Sequence, residues 1–116
     1  MASLRHEDLK ITTSDRASGA KLIQLHGPLT MTTLFDFQEV VRKDRTKALI
    51  LDITDVPYMD SAGLGSLISA FVSCQGSKRG FALFGISDRI QQLFDLTRVS
   101  ELLPSFGSLD EAEGKI

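Results

Sequence analysis

Apolar stretches typical of buried strands alternate along this chain with stretches of helical periodicity. Strands are predicted over 21–26, 48–53 and 81–86, and a weaker alternation at 9–13 favours an edge strand. The second and third stretches are almost continuously apolar, as expected of parallel strands that are buried on both faces. Three stretches with apolar residues at helical spacing begin at positions 34, 64 and 90. This order predicts an α/β domain built from right-handed βαβ crossovers.

Capping residues in the sequence predict where two helices begin. Ser87 followed by Asp88 is a typical helix start, because the hydroxyl accepts from free backbone N–H groups and the carboxylate suits the helix dipole. Ser108 and Glu111 have the spacing of a capping box, which predicts a short final helix. We expect residues 112–116 to be a frayed end.

Composition indicates one cytoplasmic domain spanning 1–116. The chain has 116 residues, 42% of them hydrophobic and 24% charged, with a net charge of −2. That balance gives no electrostatic reason to expect nucleic acid binding. No apolar run is long enough to span a bilayer, and residues 1–10 lack the apolar core of a secretion signal. Cys74 is the only cysteine, so an internal disulfide is excluded.

Ser61 lies at a strand-to-helix junction. Pro57 cannot donate to a strand ladder, so the central strand ends before it, and helical periodicity starts at Leu64. Loops beyond the carboxyl ends of strands are common places for sites in open α/β sheets. A helix N-terminus offers free N–H donors that suit a phosphoryl group on Ser61. An alternative remains open, since Asp or Ser before a helix is usually only an N-cap and a nearby glycine, such as Gly63 or Gly65, can serve close packing.

Other reactive side chains favour structural roles. His6 and His26 are far apart in sequence, and no cluster has metal-ligand spacing. Cys74 follows an apolar helical stripe and is interpreted as a partly buried structural thiol and not as a nucleophile. Turn and capping roles are expected for Asp52 and Asp55, and a solvent-facing basic turn for Lys78 and Arg79. Most of the seven phenylalanines fall in predicted stripes and are assigned to the core.

The segment 56–65, which reads Val-Pro-Tyr-Met-Asp-Ser-Ala-Gly-Leu-Gly, resembles the signature of anti-sigma factor antagonists, members of the STAS domain family. Residues 26–29 resemble the family's Gly-x-Leu turn, 48–52 its central strand and 90–97 its third helix. The likeness covers about residues 8–113, taken as the domain core. It implies a single STAS-type domain with a mixed, mostly parallel sheet of four to five strands and helices packed mainly on one face.

The resemblance also implies a regulatory binding protein and not an enzyme. Such proteins bind an anti-sigma factor, usually a serine kinase, when unphosphorylated, and thereby free a sigma factor. The kinase phosphorylates the motif serine, matched here by Ser61, and a phosphatase restores binding. No cofactor or metal is implied, and a weak homodimer is one oligomeric state that we consider. The residues implied in partner binding are Thr30, Met59, Asp60, Ser61, Ala62, Gly63, Leu64 and Gly65.

Thr30 departs from the family pattern, because many members carry Asp at the matching position. Threonine keeps a side-chain acceptor that can cap the first helix but removes the charge. We therefore expect either a partner specificity that differs from that of the usual members or a partner that is not the usual kinase.

Two alternatives come from different classes of function. One is a STAS module in a larger assembly, such as a stressosome-like scaffold or a soluble partner of an anion transporter. The other is a hydrolase with Ser61 as nucleophile. Residue 59 is Met, so Gly-x-Ser-x-Gly is absent, and neither of the two histidines has a recognisable partner motif.

Overall fold

A computed structural model of the protein describes residues 8–116, and these residues form one five-stranded sheet in the order β1-β2-β3-β4-β5. The first pair of strands is antiparallel, and the other three pairs are parallel. The strands are Lys10–Asp15 (β1), Lys21–His26 (β2), Ala48–Asp55 (β3), Gly80–Phe84 (β4) and Ser105–Phe106 (β5). The predicted mixed and mostly parallel sheet is confirmed, and its fifth strand has only two residues.

Three of the four helices in residues 8–116 pack on one face of the sheet. Successive parallel strands lie side by side, and crossovers of a single hand therefore bring each connecting helix to the same side. The fourth helix packs on the opposite face. The helices are Leu34–Lys43 (α1), Ser61–Gly76 (α2), Asp88–Leu96 (α3) and Leu109–Gly114 (α4).

The core follows the alternation of side chains along the central strands. In β3, Leu49 and Leu51 face α1, α2 and α3, whereas Ala48 and Ile50 face α4. The nearly continuous apolar character of β3 thus reflects burial on both faces. Val72, which the helical pattern of α2 assigns to the buried stripe, is instead exposed.

The carboxyl-terminal residues are held in place, so the expected frayed end is wrong. Ala112 is fully buried against the sheet, and Glu113 forms an ion pair with Arg16 at 2.9 Å. Glu113 also accepts a hydrogen bond from the Ser18 hydroxyl at 2.7 Å. These contacts join the last helix to the turn between β1 and β2.

Arg79 also differs from expectation, because it is not a solvent-facing residue. Its guanidinium donates to Asp44 Oδ2 at 2.5 Å and to the carbonyl oxygen of Thr46 at 2.6 Å. Asp44 is buried and also accepts from the Thr46 hydroxyl. This cluster ties the connection after α2 to the connection after α1.

Within residues 8–116, no helix combines the length and apolar character needed to cross a membrane. The same residues contain no group of three or more histidine, cysteine or acidic side chains placed to hold a metal ion. His6 and most of the amino-terminal stretch considered for a secretion signal lie outside the described residues.

Candidate functional site

Ser61 is the first residue of α2, at the carboxyl end of the sheet. β3 ends at Asp55, and residues 56–60 lead from the sheet edge into the helix. An isolated parallel bridge joins Met59 to Leu29, and the Asp60 N–H donates to the Leu29 carbonyl oxygen at 3.4 Å. The strand-to-helix junction before α2 therefore lies directly against the turn between β2 and α1.

Asp60 connects these two segments through its carboxylate. One oxygen accepts from the Gly63 N–H at 2.8 Å and thereby caps α2, while the other accepts from the Met31 N–H at 3.0 Å. The hydrogen bond from Gly63, helped by that from Met31, outweighs partial burial and holds the pKa of Asp60 below its ordinary value. The carboxylate beside Ser61 is thus a fixed negative charge at neutral pH.

The Ser61 side chain is exposed to solvent. Within residues 8–116 its hydroxyl makes no hydrogen bond to another protein group, so no internal contact has to break before it reacts. Asp60, and not Ser61, is the N-cap of α2, so the capping interpretation of the sequence applies to Asp60. Asp60 already occupies the donor at Gly63, and a group added to Ser61 would extend from the helix end toward solvent.

Three of the residues implied in partner binding are buried. The side chains of Met59 and Leu64 belong to the core, and Gly63 is enclosed at the start of α2. A Cβ at position 63 would lie 1.9 Å from the carbonyl oxygen of Leu29. Gly63 therefore permits the close approach of α2 to the turn before α1.

The remaining motif residues are accessible. Asp60 is exposed, and Ala62 and Gly65 are half-buried. A Cβ built at Gly65 would meet no atom within 4 Å, so the fold itself does not require glycine there. The accessible part of the motif is therefore Asp60, Ser61, Ala62 and Gly65.

Thr30 lies in the turn that leads into α1. Its hydroxyl accepts from the Thr32 N–H at 3.3 Å, and its carbonyl oxygen accepts from the N–H groups of Thr33 and Leu34. The N-cap position of α1 is Thr33, which makes no side-chain capping bond. Thr30 thus stabilises the turn before the helix and does not cap α1 with its side chain. Thr30 is linked to Ser61 through the next residue, Met31, whose backbone N–H donates to Asp60. Only the tertiary structure reveals this contact, because it is made by a backbone group.

The other reactive side chains are placed away from Ser61. His26 projects from the sheet face opposite α2, where its Nδ1 lies 2.9 Å from Asp55 Oδ2. On that face, Asp52 accepts from the Thr54 hydroxyl at 2.6 Å. Among the described residues, no histidine is positioned to activate the Ser61 hydroxyl as a hydrolase requires.

Cys74 is fully buried on α2, whereas the sequence predicts partial burial. Burial raises the pKa of its thiol, which keeps the sulfur protonated at neutral pH. Cys74 is therefore a packing residue.

Comparison with known proteins places this geometry in a family. The sequence profile of the STAS domain matches residues 10–112. An anti-sigma-B factor antagonist of Listeria monocytogenes is 40% identical over 65 residues, which cover 56% of this chain and 57% of that protein. The similarity thus spans little more than half the length of that relative. An anti-sigma-B factor antagonist of Staphylococcus aureus is 29% identical over 99 residues, covering 83% of this chain and 89% of the relative.

Solved structures share the architecture. The crystal structure of an anti-sigma factor antagonist from Mycobacterium paratuberculosis has a TM-score of 0.83, with 93% of each chain covered and 21% sequence identity. At that identity the likeness concerns the fold alone. Because the family profile matches nearly all of the described residues, this chain belongs to the STAS domain family.

Proposed function

We propose that this protein is an anti-sigma factor antagonist that acts in the cytoplasm and is switched by phosphorylation of Ser61. The unphosphorylated form binds an anti-sigma factor, which is a serine kinase, and a phosphatase restores this form after phosphorylation. Membership of the STAS family and the names of the Listeria and Staphylococcus relatives support this assignment. We propose a binding role and no catalytic one.

The observation that carries the proposal is the exposed hydroxyl of Ser61, which makes no hydrogen bond within residues 8–116, beside the fixed carboxylate of Asp60. In the switching reaction, the Ser61 oxygen attacks the γ-phosphorus of ATP held by the kinase and displaces ADP. The hydroxyl proton passes to a base of the kinase. The product carries roughly −1.5 to −2 additional charge beside Asp60.

The added charge opposes binding for two reasons. Asp60 supplies a negative charge at the same helix end, and its capping bond leaves no donor at Gly63 to neutralise the phosphoryl group. A partner surface fitted to a neutral serine then faces repulsion and the cost of removing water from a doubly charged group.

Ser61→Ala and Ser61→Asp test the switch. The kinases of the anti-sigma class that are encoded in the source genome are purified, and the affinity of each for the protein is measured by calorimetry. We expect one of them to bind the wild type and Ser61→Ala with similar Kd, and to bind Ser61→Asp at least about tenfold more weakly. Ser69→Asp is the matched control, since Ser69 is an exposed serine two turns along α2.

Two results contradict the proposal. Equal affinities of Ser61→Asp and Ser69→Asp for the kinase would remove Ser61 as the switch residue. Mass spectrometry after incubation with kinase and ATP provides the second check, because phosphate found elsewhere with Ser61 unmodified overturns the assignment.

A further inference from the structure

Two large apolar side chains are exposed where the turn after β2 leads into α1. Met31 is 64% exposed and Phe35 is 66% exposed. Within the described residues, the three other large apolar side chains that are comparably exposed are Val72, Leu96 and Leu102. Exposed apolar residues that cluster next to a functional group indicate an interaction surface, whereas isolated ones do not.

A backbone contact fixes Met31 against the Ser61 junction. The Met31 N–H donates to the carboxylate of Asp60, the residue before Ser61, at 3.0 Å. Phe35 follows Met31 by four residues and lies in the first turn of α1. Since Asp60 also caps α2, one carboxylate holds the start of α2 and the turn that carries Met31 in a set arrangement.

The turn between β2 and α1 presents little else to a partner. The hydroxyls of Thr30 and Thr32 lie 3.1 Å apart and bond to each other, and the Thr33 hydroxyl donates to the Pro28 carbonyl oxygen at 2.9 Å. Residues 28–33 contain no charged side chain. The turn therefore offers a partner no charge, and Met31 is its exposed large apolar side chain.

Charges next to the pair are negative. Asp60 lies on one side, and Asp36 is exposed on α1 immediately after Phe35. The basic side chains of α1, Arg42 and Lys43, lie at its last turn and pair with Glu39. A complementary surface thus has an apolar centre and a neutral or basic rim.

We infer that Met31 and Phe35 are anchors that insert into an apolar pocket of the anti-sigma factor bound at Ser61, and that they determine which anti-sigma factor is accepted. This inference rests on the proposed function, because it names further contacts made by the same partner. A large part of the affinity then comes from burying Met31 and Phe35, and Ser61 acts as the switch at the border of this contact.

The test uses the kinase that binds wild-type protein in the calorimetric experiment described above. We expect the double variant Met31→Ala, Phe35→Ala to weaken binding by about tenfold or more, the size typical of truncated anchor residues. The double variant Val72→Ala, Leu96→Ala is the matched control, since these residues are 54% and 84% exposed but lie elsewhere on the surface. We expect the control to bind within about twofold of wild type.

Phe35→Leu and Phe35→Asp separate apolar contact from a general surface effect. The leucine variant retains most of the affinity if the pocket is apolar, and the aspartate variant loses it. Thermal unfolding verifies that each variant is folded. If the Met31 and Phe35 double variant binds as tightly as the control, the inference fails while the proposed function stands. Absence of binding by wild-type protein to every kinase overturns both.

Discussion

At the scale of single residues, Asp60 and Gly63 have different structural roles beside Ser61, and the motif alone does not distinguish these roles. Asp60 uses both carboxylate oxygens internally, and Gly63 allows the Leu29 carbonyl oxygen to approach the helix. Ser61 lies between them without an internal contact among the described residues. The rigidity of the site thus comes from its neighbours, whereas the reactive hydroxyl belongs to a residue that the fold leaves free.

Gly63→Ala is expected to destabilise the protein by about 1–3 kcal/mol, because the new Cβ must push the Leu29 carbonyl oxygen from 1.9 Å to a normal separation. Gly65→Ala is the control in the same helix, where a Cβ meets no atom within 4 Å. The control should gain about 0.5–1 kcal/mol from better helix propensity. Urea unfolding measures both, and equal effects of the two substitutions would contradict the close-packing role of Gly63.

At the scale of elements, the short helix α4 covers one face of the sheet. Its N-cap is Ser108, whose hydroxyl accepts from the Glu111 N–H at 3.2 Å, as the capping-box spacing predicts. The Glu111 carboxylate accepts from the Gly107 N–H instead of that of Ser108. With Ala112 fully buried, α4 covers the face of the sheet that α1, α2 and α3 leave open.

Ala112→Asp places a carboxylate between α4 and the sheet, where it has no cationic partner in the described cluster of apolar side chains. We expect a loss of about 3 kcal/mol or more of unfolding free energy. Lys115→Asp introduces the same side chain at an exposed position of the same helix end and should cost only a few tenths. Chemical denaturation of both variants provides the measurement, and a mild effect of Ala112→Asp would show that α4 does not have to stay docked.

At the scale of the whole molecule, carboxylates with lowered pKa connect distant segments. Hydrogen bonds from Arg16 and Ser18 lower the pKa of Glu113, and backbone N–H groups lower that of Asp60. Burial raises the pKa of Asp52, but hydrogen bonds from Thr54 and Gln24 lower it by more, so the net shift is downward. Glu113 joins α4 to the turn after β1, Asp60 joins α2 to the turn before α1, and Asp52 joins β3 to β2, so acid acts on several parts of the fold.

These carboxylates have a lower pKa in the folded than in the unfolded protein. Their contribution to the free energy of unfolding is therefore complete at pH values above their unfolded-state pKa, near 4. The contribution is lost as the pH falls through their folded-state pKa. We expect the urea midpoint to be nearly constant from pH 7 to 5 and to fall steeply below about pH 4. The double variant Asp60→Asn, Glu113→Gln should show a smaller decrease over the same range. An equal decrease in variant and wild type would assign acid sensitivity to other groups.

The amino-acid sequence by itself determined the alternation of strands and helices, the caps at Ser87 and Ser108, and the position of Ser61 at a helix start. These features depend on side-chain periodicity and on hydrogen bonds within a few residues, which a sequence displays directly. The two residues of β5 are too few for a periodic signal, and only their pairing with β4 defines them.

The tertiary structure alone decided which motif residues are accessible to solvent. The bond from Met31 to Asp60, the contact of Gly63 with Leu29 and the docking of Ala112 join residues that are about 30 or more positions apart. Such pairs are selected by the order and hand of the crossovers, which bring the turn before α1 against the start of α2. The sequence therefore predicted the position of Ser61 at a helix start. The exposure of Met31 and Phe35 could be recognised only in the tertiary structure.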